Sequence, residues 1–313
     1  MRIAVTGASG FLGGVTARAL ADKGHVVYGF GRRGAEQLDM PVPNYRSWDL
    51  TTSIHDCPTV DAVIHSGAKV GDWGSDADYE EVNIRGTQNV LEHFADARLF
   101  IHVSSASVYS STQSCTRLSE DAGTGEGLFT AYARSKAAAE KIVLCSGRNV
   151  VILRPHIVYG PGDSTLMPRV LAARRFGRLL VPGNGRNRVS VTHIENFVAA
   201  IDCILETEST TGIFNVADAE SPTISELLRT LLSAANLPTR FVYLPRRIAW
   251  PLAVVSEWLW KLLRAQNAPR LSRYIVSNIA DGHTLDLTRA RQELGYEPRH
   301  SFRDMAASMK TMK

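Results

Sequence analysis

The chain has 313 residues, 44% apolar and 21% charged, with a formal charge of +4. That is the composition of a soluble globular protein with a substantial core, and without a long basic run it gives no support to nucleic-acid binding. Cys57, Cys115, Cys145 and Cys203 form no C-x-x-C pair, which argues against a structural zinc site or a disulfide framework, and no apolar run is long enough to span a bilayer.

The first apolar run, Ile3-Ala4-Val5, reads as a strand beginning at about the second residue. No room is left ahead of it for a signal peptide, so a cytoplasmic location is expected. Thr6-Gly7-Ala8-Ser9-Gly10-Phe11-Leu12-Gly13 follows, and Val15 to Lys23 reads as a helix. Glycines in a strand-to-helix turn point to a bound dinucleotide. Gly7 can adopt a backbone conformation closed to other residues. Gly10 leaves a pyrophosphate free to approach the backbone, and Gly13 lets the helix pack against the strand. The free N–H groups of the helix N-terminus then face the phosphates. Gly7, Ser9, Gly10, Phe11, Leu12 and Gly13 are therefore expected cofactor contacts. The spacing is G-x-x-G-x-x-G rather than G-x-G-x-x-G.

Val26 to Phe30 reads as the second strand. An acid at its end would bind the adenosine ribose and repel a 2′-phosphate; here Gly31-Arg32-Arg33 stands instead. Two guanidinium groups favour NADP(H), with NAD(H) the alternative if the arginines are merely solvated. Asp49 and Leu50 are expected cofactor contacts, with Asp49 either an adenine contact or a turn aspartate. Ala62-Val63-Ile64 reads as a buried strand opening at Ser66-Gly67-Ala68 onto the ligand crevice, with His65 a packed strand histidine.

Tyr79 to Ala97 reads as one long helix and Leu99 to Ser104 as a strand. Ser110 to Thr130 reads as a mobile surface loop. A helix opens at Tyr132-Ala133-Arg134-Ser135-Lys136, where Tyr132 and Lys136 share one face. Val150 to Leu153 is a further strand. This alternation predicts an α/β protein with a Rossmann-like, doubly wound parallel sheet.

Beyond Asp163 the rhythm changes. Helices are expected over Leu166–Phe176, Ile194–Leu205, Ser221–Ala235 and Thr288–Leu294, with a last one starting near Phe302. Strands are expected over Leu179–Val181, Val189–Thr192, Gly212–Val216 and Arg240–Leu244. We assign residues 1–160 to the cofactor-binding domain and 161–313 mainly to a smaller substrate-binding lobe, with later crossings near 187–217. Ile248 to Leu263 is the most apolar piece and carries Trp250, Trp258 and Trp260. It is read as a cover for an apolar substrate, a helix lying on a membrane surface, or an ordinary amphipathic helix on the core.

A tyrosine is a poor acid or base at neutral pH; a lysine one helical turn away favours its phenolate and can also hydrogen-bond the nicotinamide ribose, so Tyr132 and Lys136 are expected cofactor contacts too. A serine hydroxyl across the site can hold a substrate oxygen. Tyrosine, lysine and serine together suit hydride transfer at a ketone or secondary alcohol.

With these residues in place, the chain resembles the extended short-chain dehydrogenase/reductases from end to end. It carries TGASGFLG, NIRGTQNV, SSASVY, YARSK and RPHIVYGPGD in that order. The resemblance makes Tyr132 and Lys136 the catalytic pair and Ser105, rather than Ser104 or Ser107, the catalytic serine. It places Lys69, Asn83, Val103, Pro155, His156 and Ile157 beside Ser66, Gly67 and Ala68 around the cofactor. No metal is expected. His65 to Gly74, Arg154-Pro155-His156 and Gly183 to Asn187 resemble the 3-beta-hydroxysteroid dehydrogenase branch, which includes reductases of 2-alkyl-3-oxo fatty acids. His65-Ser66-Gly67-Ala68 departs from the commoner H-x-A-A.

These features imply an NADP(H)-dependent oxidoreductase acting on a 3-keto or 3-hydroxy group of a large apolar substrate. A nucleotide-sugar epimerase or dehydratase shares the fold and triad, and Arg169, Arg174 and Arg186 are its candidate diphosphate ligands. The remaining alternative is a non-catalytic cofactor-binding module. The resemblance also suggests a homodimer through the helices at Tyr79–Ala97 and Tyr132–Leu144.

Overall fold

The computed structural model describes residues 1–110, 116–207, 210–265 and 267–303. The first half contains β1 (Arg2–Thr6), α1 (Phe11–Asp22), β2 (Val26–Gly31), β3 (Arg46–Ser47) and β4 (Ala62–His65). A helical stretch follows, made of α2 (Asp76–Tyr79), a π-helical turn (Glu80–Arg85) and α3 (Gly86–His93). After it come β5 (Leu99–Val103), α4 (Ala131–Leu144) and β6 (Val150–Pro155). The second half runs through β7 (Val158–Tyr159), α5 (Leu166–Ala173), β8 (Arg178–Pro182), β9 (Thr192–His193), α6 (Ile194–Glu206) and β10 (Gly212–Val216). It ends with α7 (Ile224–Ala234), β11 (Arg240–Leu244), α8 (Arg246–Leu262), α9 (Arg273–Ala280) and α10 (Thr288–Leu294).

Seven strands form one parallel sheet in the order β10-β6-β5-β4-β1-β2-β3. Its inner strands are covered on both faces, so they are continuous apolar runs; Ile3, Ala4, Val5, Ala62, Val63 and Ile64 are all fully buried. The order reverses between β1 and β4, and the crevice at their C-terminal ends is where such sheets bind ligands.

The chain after residue 160 returns to this sheet twice. β10 forms its edge, and α6, Leu285, Leu287, Ala290, Leu294 and Tyr296 pack in its core. A second core lies around β8, α7 and Tyr159. Helix α7 starts where a Thr223–Glu226 capping box satisfies its first N–H groups. β7 and β9 pair with each other in a small separate sheet, and β8 pairs with β11.

Several expectations are corrected. The helix expected over Tyr79–Ala97 begins at Asp76, capped by Ser75, passes through a π-helical turn and stops at His93. The Val189–Thr192 strand shrinks to Thr192–His193. The loop between 110 and 130 is not free at its described residues: the Glu120 carboxylate is buried and accepts from Asn215 N at 2.8 Å, and Leu118 bridges to Leu285. Cys115 and the rest of 111–115 lie outside the described residues, as does most of the helix expected from Phe302. Helix α9 was not anticipated.

Candidate active site

Two glycines meet at the switch point. Gly7 has φ +70°, and a Cβ there would lie 2.7 Å from Gly67 N. A Cβ on Gly13 would run into the Gly7 carbonyl. Ser66 Oγ donates to Thr6 O at 2.7 Å and Gly67 N donates to Thr6 Oγ1 at 3.2 Å, tying the ends of β1 and β4 together. Gly10 is the N-cap of α1, with no side-chain cap and no acid in the first turn. This cradle of bare backbone before an uncapped helix N-terminus fits a dinucleotide pyrophosphate. Beside it, the Arg33 guanidinium donates to Ser9 O, and Arg32 is exposed close to Asp49. Phe11 packs against Gly162 beyond β7.

The Ser105, Tyr132 and Lys136 trio converges from β5 and α4. Thr130 Oγ1 accepts from Ala133 N at 3.1 Å, so α4 begins at Ala131 and holds Tyr132 in its first turn. A buried ion pair between Arg154 of β6 and Glu140, at 3.0 and 2.7 Å, clamps α4 onto the sheet. Ser105 follows β5, its Oγ accepts from Ser107 N at 3.2 Å, and its side chain lies close enough to the Tyr132 phenol to lower that phenol's pKa. Lys136 Nζ donates to Val103 O at 2.7 Å and lies 3.2 Å from His102 Nε2.

The Lys136 ammonium is held by the Val103 carbonyl at the end of β5. Burial raises the Tyr132 pKa above the usual tyrosine value, opposed by Ser105 and the charge of Arg169. Burial also lowers Lys136 to about 8, although Glu140 pulls it upward. The protonated phenol is thus favoured, which suits Tyr132 as a proton donor to a ketone oxygen while Ser105 orients that oxygen. When bound, a nicotinamide cofactor supplies the hydride.

Sequence reasoning missed several neighbours of the phenol. Tyr79 packs edge-on against Tyr132 with ring centroids 6.3 Å apart. Tyr274 of α9 and Asp72 share its electrostatic environment with Arg169, whose guanidinium is 3.9 Å from Asp72. Asp72 does lie within the quoted 65–74 stretch, whereas Tyr274 stands on an unanticipated helix. His102 went unnoticed because a strand histidine has no sequence signature.

The remaining expected residues divide into two groups. Pro155, His156 and Ile157 leave the end of β6 at the crevice; Ile157 has φ +41°, rare for a β-branched residue, and the buried His156 Nδ1 has no partner. Ala68 is partly buried beside Gly67, and Leu50 lies against Gly67. The other group is committed to the protein itself. Asp49 Oδ1 accepts from Thr51 N and Oγ1 at 3.0 and 2.8 Å, the behaviour of a turn aspartate. Asn83 bonds the Lys69 backbone and donates to Ser135 Oγ at 2.8 Å, while Lys69 Nζ pairs with Asp78 at 2.9 Å. His65 is packed, bonding Thr6 and Thr87 at 2.7 and 2.9 Å. Arg174 bonds Thr239 and Pro238.

A Rossmann-like sheet with a glycine cradle and a Ser-Tyr-Lys trio at its crevice defines a dinucleotide-dependent dehydrogenase/reductase. Residues 3–217 match the NAD dependent epimerase/dehydratase family, and the chain belongs to it, among the extended short-chain dehydrogenases/reductases. As such it is an NAD(P)-dependent oxidoreductase. It is 32% identical to a 2-alkyl-3-oxoalkanoate reductase of Stenotrophomonas maltophilia, covering 97% of each chain. It is 30% identical to a protein of the same name from Shewanella oneidensis, covering 93% of this chain and 81% of that one. Among solved structures, MoeE5 in complex with UDP-glucose and NAD superposes with a TM-score of 0.76 at 22% identity, covering 100% of both chains. That likeness shows the fold.

Proposed function

We propose that the protein is an NADP(H)-dependent ketone reductase acting on the 3-oxo group of a large apolar substrate of the 2-alkyl-3-oxo acid type. The observation that carries this reading is the setting of the Ser105–Tyr132 pair. Around the phenol, Tyr79 packs against it and Tyr274 is near it, with the Arg169–Asp72 pair at the same site, and Trp250 of α8 packs 5.5 Å from Phe129 just ahead of α4. Tyr132 donates its proton to the carbonyl oxygen as the carbon accepts hydride, and Ser105 holds that oxygen. Preference for NADP(H) rests on Arg32 and Arg33, with no acid at the end of β2 to repel a 2′-phosphate. The two reductase relatives, each matched over most of its length, support the substrate class.

A second reading, a nucleotide-sugar epimerase or dehydratase, is favoured by one observation. A cleft of about 850 Å³ is lined by Arg117, Arg186, Arg188 and Arg303 together with Glu220 and Asp281; Arg117 and Arg303 are ion-paired, and the net positive lining suits a diphosphate. The two readings part on turnover. NADPH consumption with long-chain 2-alkyl-3-oxo acids and none of UDP-glucose supports the first; conversion of UDP-glucose without net cofactor consumption supports the second.

A further inference from the structure

Helix α8 is amphipathic in the wrong direction for a helix that only covers a core. Its inner face is built from small residues: Ala249 and Ala253 are fully buried against Val276 of α9. Its outer face carries the large ones. Ile248, Leu252, Val255, Leu259 and Leu262 fall on one stripe at helical spacing and are 39–65% exposed. Trp258, at the margin of the stripe, is 61% exposed. No helix among the described residues is long and apolar enough to cross a membrane.

Charge selects the cover. Residues 246–273 hold six Lys or Arg and a single acid, a local +5 against +4 for the whole chain. Arg246 pairs with Asp281 and Arg273 with Glu257. Arg247, Lys261, Arg264 and Arg270 are exposed and have no ion-pair partner among the described residues. Arg247 and Lys261 fall on one side of the apolar stripe by helical position, beyond Trp258. An apolar stripe with a Trp and cations at its rim matches the cross-section of a lipid interface: acyl boundary under the stripe, headgroups at the rim. A second copy of the chain fits worse. A two-fold contact through α8 would set these cations against their own copies, with the only acid of the segment already engaged.

We propose that α8 is an interfacial helix that docks the protein on the surface of an anionic phospholipid bilayer. The inference does not rest on the substrate reading above. It does give the cap a consequence: α8 and α9 sit over the active site, with Trp73 Nε1 donating to Ala265 O at 3.0 Å and Tyr274 beside Tyr132. Docking therefore places the mouth of the site at the lipid boundary.

The test is flotation of the full-length protein with phosphatidylcholine vesicles, with and without one-third phosphatidylglycerol, alongside sedimentation velocity without lipid. Binding at least tenfold stronger to the anionic vesicles is expected. The double variant Leu252→Glu, Leu259→Glu, altered only at exposed positions, is expected to lose vesicle binding and keep its sedimentation coefficient. The double variant Arg247→Ala, Lys261→Ala is expected to lose the preference for anionic lipid while retaining weak binding. Failure of the wild-type protein to float, or flotation of the Glu variant at the wild-type level, overturns the proposal. So does a lipid-free dimer that the Glu variant alone dissociates, since the cover is then a second copy.

Discussion

Gly7 and Gly67 meet backbone to backbone across the switch point, where a Cβ on Gly7 would lie 2.7 Å from Gly67 N. The two substitutions are therefore unequal. Gly7→Ala is strained both by φ +70° and by a clash with backbone, so it should abolish cofactor binding and lower the melting temperature. Gly67→Ala meets chiefly the movable Leu50 Cδ1 at 2.7 Å. It should fold and bind cofactor about tenfold more weakly. Thermal scans with nicotinamide fluorescence titrations check both, and equal behaviour of the two variants would contradict the geometry.

Arg33 reaches back over the glycine turn to Ser9 O. In the proposed reading it and Arg32 hold a 2′-phosphate. The double variant Arg32→Ala, Arg33→Ala should weaken NADPH binding by roughly tenfold or more and leave NADH binding nearly unchanged. Parallel titrations of the two cofactors measure this, and equal losses would remove the phosphate argument.

Much of this arrangement was legible in the sequence, for identifiable reasons. The glycine turn is read locally, because its neighbours in sequence are also its neighbours in space. Tyr132 and Lys136 are read from helical spacing, and the parallel strands from their unbroken apolar runs. What escaped depends on contacts across the fold. His102 lies under Lys136 only because β5 and α4 pack together. Tyr274 comes into the electrostatic environment of Tyr132 from a helix of eight residues, Arg273–Ala280, too short to announce itself by periodicity. Spacing puts Tyr132 and Lys136 on one face of α4 but says nothing of what lies beneath them. Spacing does not reveal that the ammonium finds the Val103 carbonyl first.

That contact makes His102 a positioning residue for Lys136. Buried and held neutral, His102 offers Nε2 as an acceptor at 3.2 Å, with His65 beside it and Glu140 on the same helix as the lysine. Burial pushes Lys136 down to about 8. Removing the acceptor with His102→Leu should lower it further, by about one unit in an NMR titration of the ammonium. His102→Gln, which keeps an acceptor, should restore the value. An unmoved Lys136 titration in His102→Leu would show that the histidine only fills space.

Buried histidines also set the acid limit of the fold. Burial depresses His65 and His156 to about 3, and it depresses His102 and His283 as well. An unfolded histidine titrates near 6.5, so between about 6.5 and 3 the unfolded chain binds more protons than the folded one. Stability is therefore full above about pH 6.5 and falls as pH drops through this window. Urea midpoints should decline steadily from pH 7 to pH 4, with a shallower decline in His156→Asn. A flat profile would contradict the neutral buried histidines.

The central claim is that Tyr132 moves a proton in an NADPH-dependent reduction of a long-chain 2-alkyl-3-oxo acid. The most direct measurement is NADPH consumption with that substrate by the wild-type protein and by Tyr132→Phe, with NADPH affinity measured for both. The account predicts wild-type turnover, a loss of roughly a hundredfold to ten-thousandfold in the variant, and cofactor affinity unchanged within about twofold. Turnover preserved in Tyr132→Phe, or a wild-type protein that binds NADPH yet reduces no such acid, would contradict it.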